Sequence, residues 1–233
     1  MLLLIIAGLI ITINMQFILP LALEYLPMYS AVIILLWGPL IVISIIILIK
    51  WKKSQIPFTQ FFRIGKLNKK QVLIVIGIFV LSQSLEIILS ATRLPLSQLS
   101  FFAVPEHMPE IFLPNFEPEI PLKSFMEMTL KNNPLVLLYW ALWLFLNIGT
   151  EEFLWRGYLL PRMEKKYGKY AWLINGLLWN LSIHFFMRWS FISLMPISLL
   201  LPYICQKTKS IWPGIIIHGL GNALFYILLI PSI

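Results

Sequence analysis

Glu151 and Glu152 stand side by side in Thr150-Glu151-Glu152-Phe153-Leu154-Trp155-Arg156, within a stretch that is otherwise apolar. Glu152 and Arg156 are i and i+4 on a helix, so they share one face and can pair. The helical period turns Glu151 roughly 100° away from that face. Glu151 is thereby free to face a cavity and take a proton from water as a general base. His218 and Asn222, in Ile217-His218-Gly219-Leu220-Gly221-Asn222, are again i and i+4. Gly219 and Gly221 leave room beside them for a neighbouring helix or a substrate backbone. An imidazole N–H and an amide NH2 aimed at one point suit a developing oxyanion. His184, in Asn180-Leu181-Ser182-Ile183-His184, belongs to a different helix and can share a water with Glu151. Glu86 has no matching partner and reads as a snorkelling or hydrogen-bonding residue.

The elements that must position these groups are set by composition. The 233 residues are 59% hydrophobic and 12% charged, about half of the roughly 25% charged residues of a soluble domain, so a water-soluble monomer is excluded. The fold class expected is an all-α, polytopic membrane helix bundle of about seven transmembrane helices. Apolar runs long enough for a bilayer fall at Leu2 to Leu23, Ala31 to Ile49, Gln71 to Ala91, Leu135 to Trp155, Ala171 to Phe186, Phe191 to Cys205 and Ile211 to Ile230. The first reads as a retained helix, since it lacks a basic leader and a convincing cleavage site. Of the 18 Lys and Arg, 14 fall in or beside the Lys50–Lys70 loop, the Arg156–Lys169 stretch and Lys207–Lys209; Arg93, Lys123, Lys131 and Arg188 make up the rest. The positive-inside rule then gives an N-in, C-out chain, and the net charge of +8 is topology rather than a sign of nucleic acid.

Three regions follow: residues 1–91 as N-terminal transmembrane helices, 92–134 as an external Pro-rich loop, and 135–233 as the helical core that holds the candidate site. The loop carries Pro95, Pro105, Pro109, Pro114, Pro118, Pro121 and Pro134, and its Phe101, Phe102, Ile111, Phe112 and Phe116 allow a segment on the outer interface or a merely tolerated external loop. The single cysteine, Cys205, rules out an internal disulfide framework and a Cys-based zinc pattern. Ionisable groups inside a bilayer face the bundle interior and mark function by default. Alone, an intramembrane His or Asn is more often a tie between helices worth about 1 kcal/mol; the conjunction of two Glu and two His argues for a site. Helix lengths set a condition on it. His184 meets Glu151 and His218 only if the fourth helix runs on toward Arg162 and the fifth starts below the membrane surface, or if the helices tilt; the first condition puts the site in a cavity of the inner half of the bilayer.

Glu151-Glu152-Phe153-Leu154-Trp155-Arg156, His184 and His218-Gly219-Leu220-Gly221-Asn222, in this order on three helices, resemble the EExxxR, FxxxH and HxxxN motifs of the CAAX prenyl protease and bacteriocin-processing (CPBP, or Abi) membrane proteins, relatives of the type II CAAX prenyl endopeptidases. The resemblance covers about Leu135 to Ile230. Asn180 departs from it, standing where the family usually has Phe. The resemblance implies a glutamic intramembrane endopeptidase with no cofactor and no metal. It casts Glu151 and His184 as the groups that activate water, His218 and Asn222 as oxyanion donors, and Glu152 and Arg156 as a supporting pair. The partners it implies are membrane lipid and a hydrophobic or lipidated peptide or membrane-protein segment, in a multi-pass protein of a prokaryotic plasma membrane. Competing readings are a zinc site, for which the residue types suit but no HExxH is present, a non-catalytic bacteriocin-immunity or regulatory scaffold, and a transporter, against which the lack of repeats counts.

Overall fold

The computed structural model describes residues 1–117 and 120–233; Pro118, counted above with the loop, lies outside the described residues. Long helices follow one another as α1 (Leu2–Ala22), α2 (Met28–Ser54), α3 (Lys69–Ser90), α4 (135–167), α5 (Ala171–Ser182), α6 (Met195–Thr208) and α7 (Trp212–Ser232). Four of them, α1, α2, α3 and α7, are long and apolar enough to cross a membrane. At 12 and 14 residues, α5 and α6 reach only about 18 and 21 Å, short of the roughly 30 Å hydrocarbon core. α4 is long, but Asn147, Thr150, Glu151, Glu152 and Arg156 interrupt its apolar character. Leu73, Ile87, Leu138 and Phe145 are each at least two-thirds exposed, an outward apolar surface that suits lipid and not water.

Three element boundaries differ from the sequence reading. The fifth helix was expected to run to Phe186 and ends at Ser182, so that His184 sits just beyond it, before a 3-10 turn (Phe185–Ser190). The sixth begins at Met195 instead of Phe191, with Pro196 in its first turn, where a proline's missing N–H costs nothing. The seventh loosens after Ala223 and resumes at Tyr226. α4, in contrast, runs without interruption from Leu135–Glu152 through a π-helical stretch, Phe153–Leu159, into Leu160–Tyr167, fulfilling the condition that the chain continue past Arg162. Gly168, at φ +55, then reverses the chain in a conformation glycine adopts without steric cost.

Close helix approach depends on missing side chains. A Cβ on Gly176 of α5 would collide with the Ser198 backbone of α6, and one on Gly214 of α7 would collide with the Glu152 carboxylate of α4. Trp37 of α2 meets Trp143 of α4 edge-on at 5.4 Å, and Trp143 stacks on Trp140 at 5.8 Å.

The two ends of the bundle are built differently. At the end carrying the basic loops, the segment after α2 folds back so that Phe61 and Phe62 are buried against α4. Arg63 makes a two-pronged pair with Glu164 (2.5 and 2.8 Å), Lys209 donates to the same carboxylate at 2.6 Å, and the Ile211 N–H donates to the Arg63 carbonyl at 3.0 Å. Burial works against ionising Glu164, but the hydrogen bonds from Arg63 and Lys209 outweigh it and hold the carboxyl below its usual range. At the opposite end, residues 92–134 form a folded cover containing short helices and an antiparallel pair, Ser124–Phe125 with Met128–Thr129. It is tied down by Trp189 Nε1 donating to the Phe112 carbonyl at 2.9 Å, by the Leu122 N–H donating to Ser232 Oγ at 2.7 Å and by the Asn132 N–H donating to the Ile233 carbonyl at 2.9 Å.

Candidate active site

Glu151, Glu152 and Arg156 are essentially inaccessible, and His218 is 5% exposed. Arg156, grouped with the cytoplasmic basic residues by sequence, is therefore a buried member of this cluster. Its guanidinium donates to Glu152 Oε1 at 3.2 Å, so the expected i, i+4 pair forms across the start of the π-helical stretch. The same carboxylate oxygen lies 3.0 Å from His218 Nδ1. Glu152 thus joins α4 to α7, which the pairing rule within one helix did not reveal. Gly214, one turn before His218, supplies the space that its carboxylate occupies. A carboxylate on Nδ1 fixes the orientation of the ring.

Trp179 on α5 is the residue that sequence reasoning missed. Its Nε1 donates to Glu151 Oε2 at 2.6 Å, the Arg156 guanidinium lies over its ring at 4.0 Å, and the rings of His184 and His218 approach it edge-on at 4.5 and 5.6 Å. One indole therefore touches the glutamate, the arginine and both histidines. The available signal was burial: an indole N–H within an apolar bundle must find an acceptor, and Glu151 was the free carboxylate in reach.

Asn222 donates to the His218 carbonyl at 3.0 Å, and its side-chain oxygen accepts from Asn147 on α4 at 3.4 Å. It shares a face with His218 as its spacing required. One of its two N–H groups is engaged with the backbone, leaving one to donate elsewhere. Asn180, one helical turn before His184, donates to the Phe191 carbonyl at 3.0 Å. It anchors the chain just after His184, so the polar substitution is structurally satisfied. Glu86, expected to be unpaired, meets Arg93 at 3.0 Å, and Arg93 Nε donates to Ser193 Oγ at 2.8 Å.

These groups line a cavity of about 620 Å³, within the range of about 300–1,000 Å³ usual for ligand sites. Glu151, Trp179, His184, His218 and Asn222 all reach it, and its walls are largely aromatic and aliphatic, with Trp37, Trp140, Trp143 and Phe225 among them. Ile111, Phe112, Leu113 and Phe116 of the cover also contribute, so the 92–134 segment is part of the cavity and not a loop held apart from it. The cavity extends from the Glu151 level toward the cover, away from the end that carries the basic loops. Among the residues that line it, Trp37 Nε1, Trp140 Nε1, Asn147 Oδ1 and His184 Nδ1 lack a partner among the described residues, as do Glu152 Oε2 and Arg156 Nε outside the lining. Buried polar atoms left unpaired are costly. Among the described residues, no group of three or more His, Cys or Glu side chains converges to hold a metal ion.

Residues 133–224 match the family model described as type II CAAX prenyl endopeptidase Rce1-like. The matched stretch includes every residue of the cluster from Asn147 to Asn222. Comparisons with curated proteins and with solved structures return no match.

Proposed function

Taking residues 133–224 as a type II CAAX prenyl endopeptidase core, we propose that this protein is an intramembrane endopeptidase of the glutamic type, hydrolysing a peptide bond of a membrane-associated or lipid-modified peptide. The observation that carries the reading is the meeting of Glu151, His184, His218 and Asn222 at one cavity floor, organised by Trp179. Trp179 occupies Glu151 Oε2, and the other carboxylate oxygen takes the proton of a water that attacks the scissile carbonyl. His184, with Nδ1 unpartnered beside the same indole, orients that water. As the carbonyl becomes tetrahedral its oxygen gains negative charge, which the free N–H of Asn222 and the Nε2–H of His218 stabilise. Glu152, 3.0 Å from Nδ1, holds the His218 ring in place, and Arg156 balances Glu152 in turn. The proton taken by Glu151 passes to the leaving amine, and no metal is required in these steps.

The test is cleavage of a quenched fluorogenic apolar peptide set by purified protein in detergent, with wild type, Glu151→Gln and His218→Ala compared in the presence and absence of a chelator. Activity that persists with chelator and disappears in both variants supports the reading. Activity abolished by chelator refutes the metal-free mechanism, and an inactive but folded wild type turns the balance to a non-catalytic scaffold.

A further inference from the structure

We propose that the turn joining α4 to α5, together with the end of α6, is a binding site for the phosphate headgroup of an anionic phospholipid, which holds these three helices together at the end carrying the basic loops. The site is separate from the cavity and does not rest on the endopeptidase reading. Lys165 and Lys166 stand in the last turn of α4, Lys169 follows Gly168, and Lys207 belongs to the last turn of α6. Basic residues scattered over the loops of one side already satisfy the positive-inside rule; here the fold gathers them from two stretches of chain. Gln206 does the gathering. Its Nε2 donates to the Gly168 carbonyl at 3.1 Å, and its Oε1 accepts the Trp172 N–H at 2.8 Å. Lys169 therefore lies within the segment that Gln206 spans, and Lys207 is the next residue after Gln206.

All four lysines are exposed, and none forms an ion pair among the described residues. The carboxylate nearest Lys165 in the chain, Glu164, is already engaged by Arg63 and Lys209, so it has nothing left with which to neutralise them. Like charges gathered in this way repel one another, and a bound anion relieves the repulsion. The neighbouring rings set the depth at which that anion lies. The ammonium groups of Lys166, Lys169 and Lys207 sit over the rings of Tyr167, Tyr170 and Tyr203 at 5.2, 5.1 and 5.5 Å, and Trp172 meets Tyr203 edge-on at 5.3 Å. Tyrosine and tryptophan with an apolar body and a polar tip mark the headgroup level of a bilayer, and clusters of Lys and Arg at that level bind anionic headgroups. A lipid fits this place better than a dissolved phosphate: its headgroup meets the lysines while its acyl chains run along α5 and α6 past the Trp172–Tyr203 pair. Such a lipid braces α4 and α5, the helices that bring Glu151 and Trp179 together.

The experiment places the purified full chain in nanodiscs of phosphatidylcholine, alone or mixed with phosphatidylglycerol. The thermal midpoint is read from tryptophan fluorescence, and retained lipid is identified by native mass spectrometry. One variant combines Lys165→Gln, Lys166→Gln, Lys169→Gln and Lys207→Gln; a control removes the same charge from the loop between α2 and α3 by Lys52→Gln, Lys53→Gln, Lys69→Gln and Lys70→Gln, all at exposed positions. Expected for wild type is a higher midpoint with phosphatidylglycerol and retention of that lipid over phosphatidylcholine by about tenfold or more, both lost in the first variant and kept in the control. Wild type indifferent to phosphatidylglycerol, an undiminished preference in the first variant, or an equal loss in the control overturns the proposal. So does an equal rise on adding inorganic phosphate to phosphatidylcholine discs, which makes the ligand a free anion. If the fourfold variant does not fold, two double variants carry the test, Lys165→Gln with Lys166→Gln and Lys169→Gln with Lys207→Gln; each should keep only part of the preference, and a full preference in both overturns the proposal.

Discussion

Two clusters of carboxylate and cation lie along α4, and they are built to opposite ends. Around Glu164 every partner is a flexible, fully charged side chain, the carboxylate receives three hydrogen bonds from Arg63 and Lys209, and Lys209 remains largely in water. Around Glu151 and Glu152 the partners are an indole, an imidazole and a single guanidinium nitrogen, everything is buried, and several polar atoms stay unpaired beside a cavity. A saturated cluster holds two pieces of chain together and has nothing left to offer a substrate. An unsaturated one costs stability, and retains donors and acceptors for a reacting group. The contrast teaches that the number of unfilled positions, rather than the number of charges, separates a site from a staple.

The sharpest way to break this contrast is Glu151→Gln. It keeps an acceptor for Trp179 and should leave folding intact, yet peptide cleavage should fall about 10³-fold, in the range expected for loss of a general base; activity within tenfold of wild type would remove Glu151 from the mechanism. Glu152→Gln should reduce stability by about 3 kcal/mol, because Arg156 is left buried without its counter-charge, and should lower cleavage as well, which thermal unfolding in detergent and the peptide assay measure separately. Trp179→Phe retains an aromatic ring over Arg156 but loses the N–H to Glu151, so an activity loss of about tenfold, equivalent to about 1.4 kcal/mol, is expected with a small change in thermal midpoint. The smallest effect belongs to the other cluster. Glu164→Gln should cost about 1 kcal/mol of stability and leave kcat unchanged. Because the folded carboxyl titrates below its ordinary value near 4.5, its contribution is present above that pH and lost as the pH falls through the folded value. Wild type should therefore lose stability on acidification in a range where the Gln variant does not, and equal acid sensitivity of the two would show that Glu164 is not the staple described.

The pairings within each helix were legible because they depend on short, fixed spacings. Glu152 with Arg156 and His218 with Asn222 are one helical turn apart, and the structure sets each pair on a common face. Contacts between helices were less legible. Nothing in the spacing announces that Glu152 reaches His218, that Trp179 serves Glu151, or that Asn147 meets Asn222, since each depends on how α4, α5 and α7 cross. Glu86 and Arg93 meet across the end of α3, which finishes at Ser90, so their pairing depends on the turn after the helix and no helical spacing announced it. The helix boundaries failed where hydropathy continued but backbone geometry did not: Phe185 and Phe186 are as apolar as the helix before them, yet the chain turns at His184. The cover over the cavity was the least visible part, because its prolines and scattered aromatics are equally those of a loop that packs on nothing.

The π-helical stretch Phe153–Leu159 lies between the two clusters of α4. Each residue of an α-helix advances the face by about 100° and a π-helical turn takes up about one residue more than an α turn, so tightening this stretch to ordinary helical hydrogen bonding at unchanged length would rotate Glu164 by about that angle relative to Glu151. The cavity floor and the fastening below it would then no longer face their partners together. The register of one helix, more than any single contact, thus decides whether the reactive half and the anchoring half of the molecule can be assembled at once, and chain length between Glu152 and Glu164 becomes as constrained as the identity of either residue.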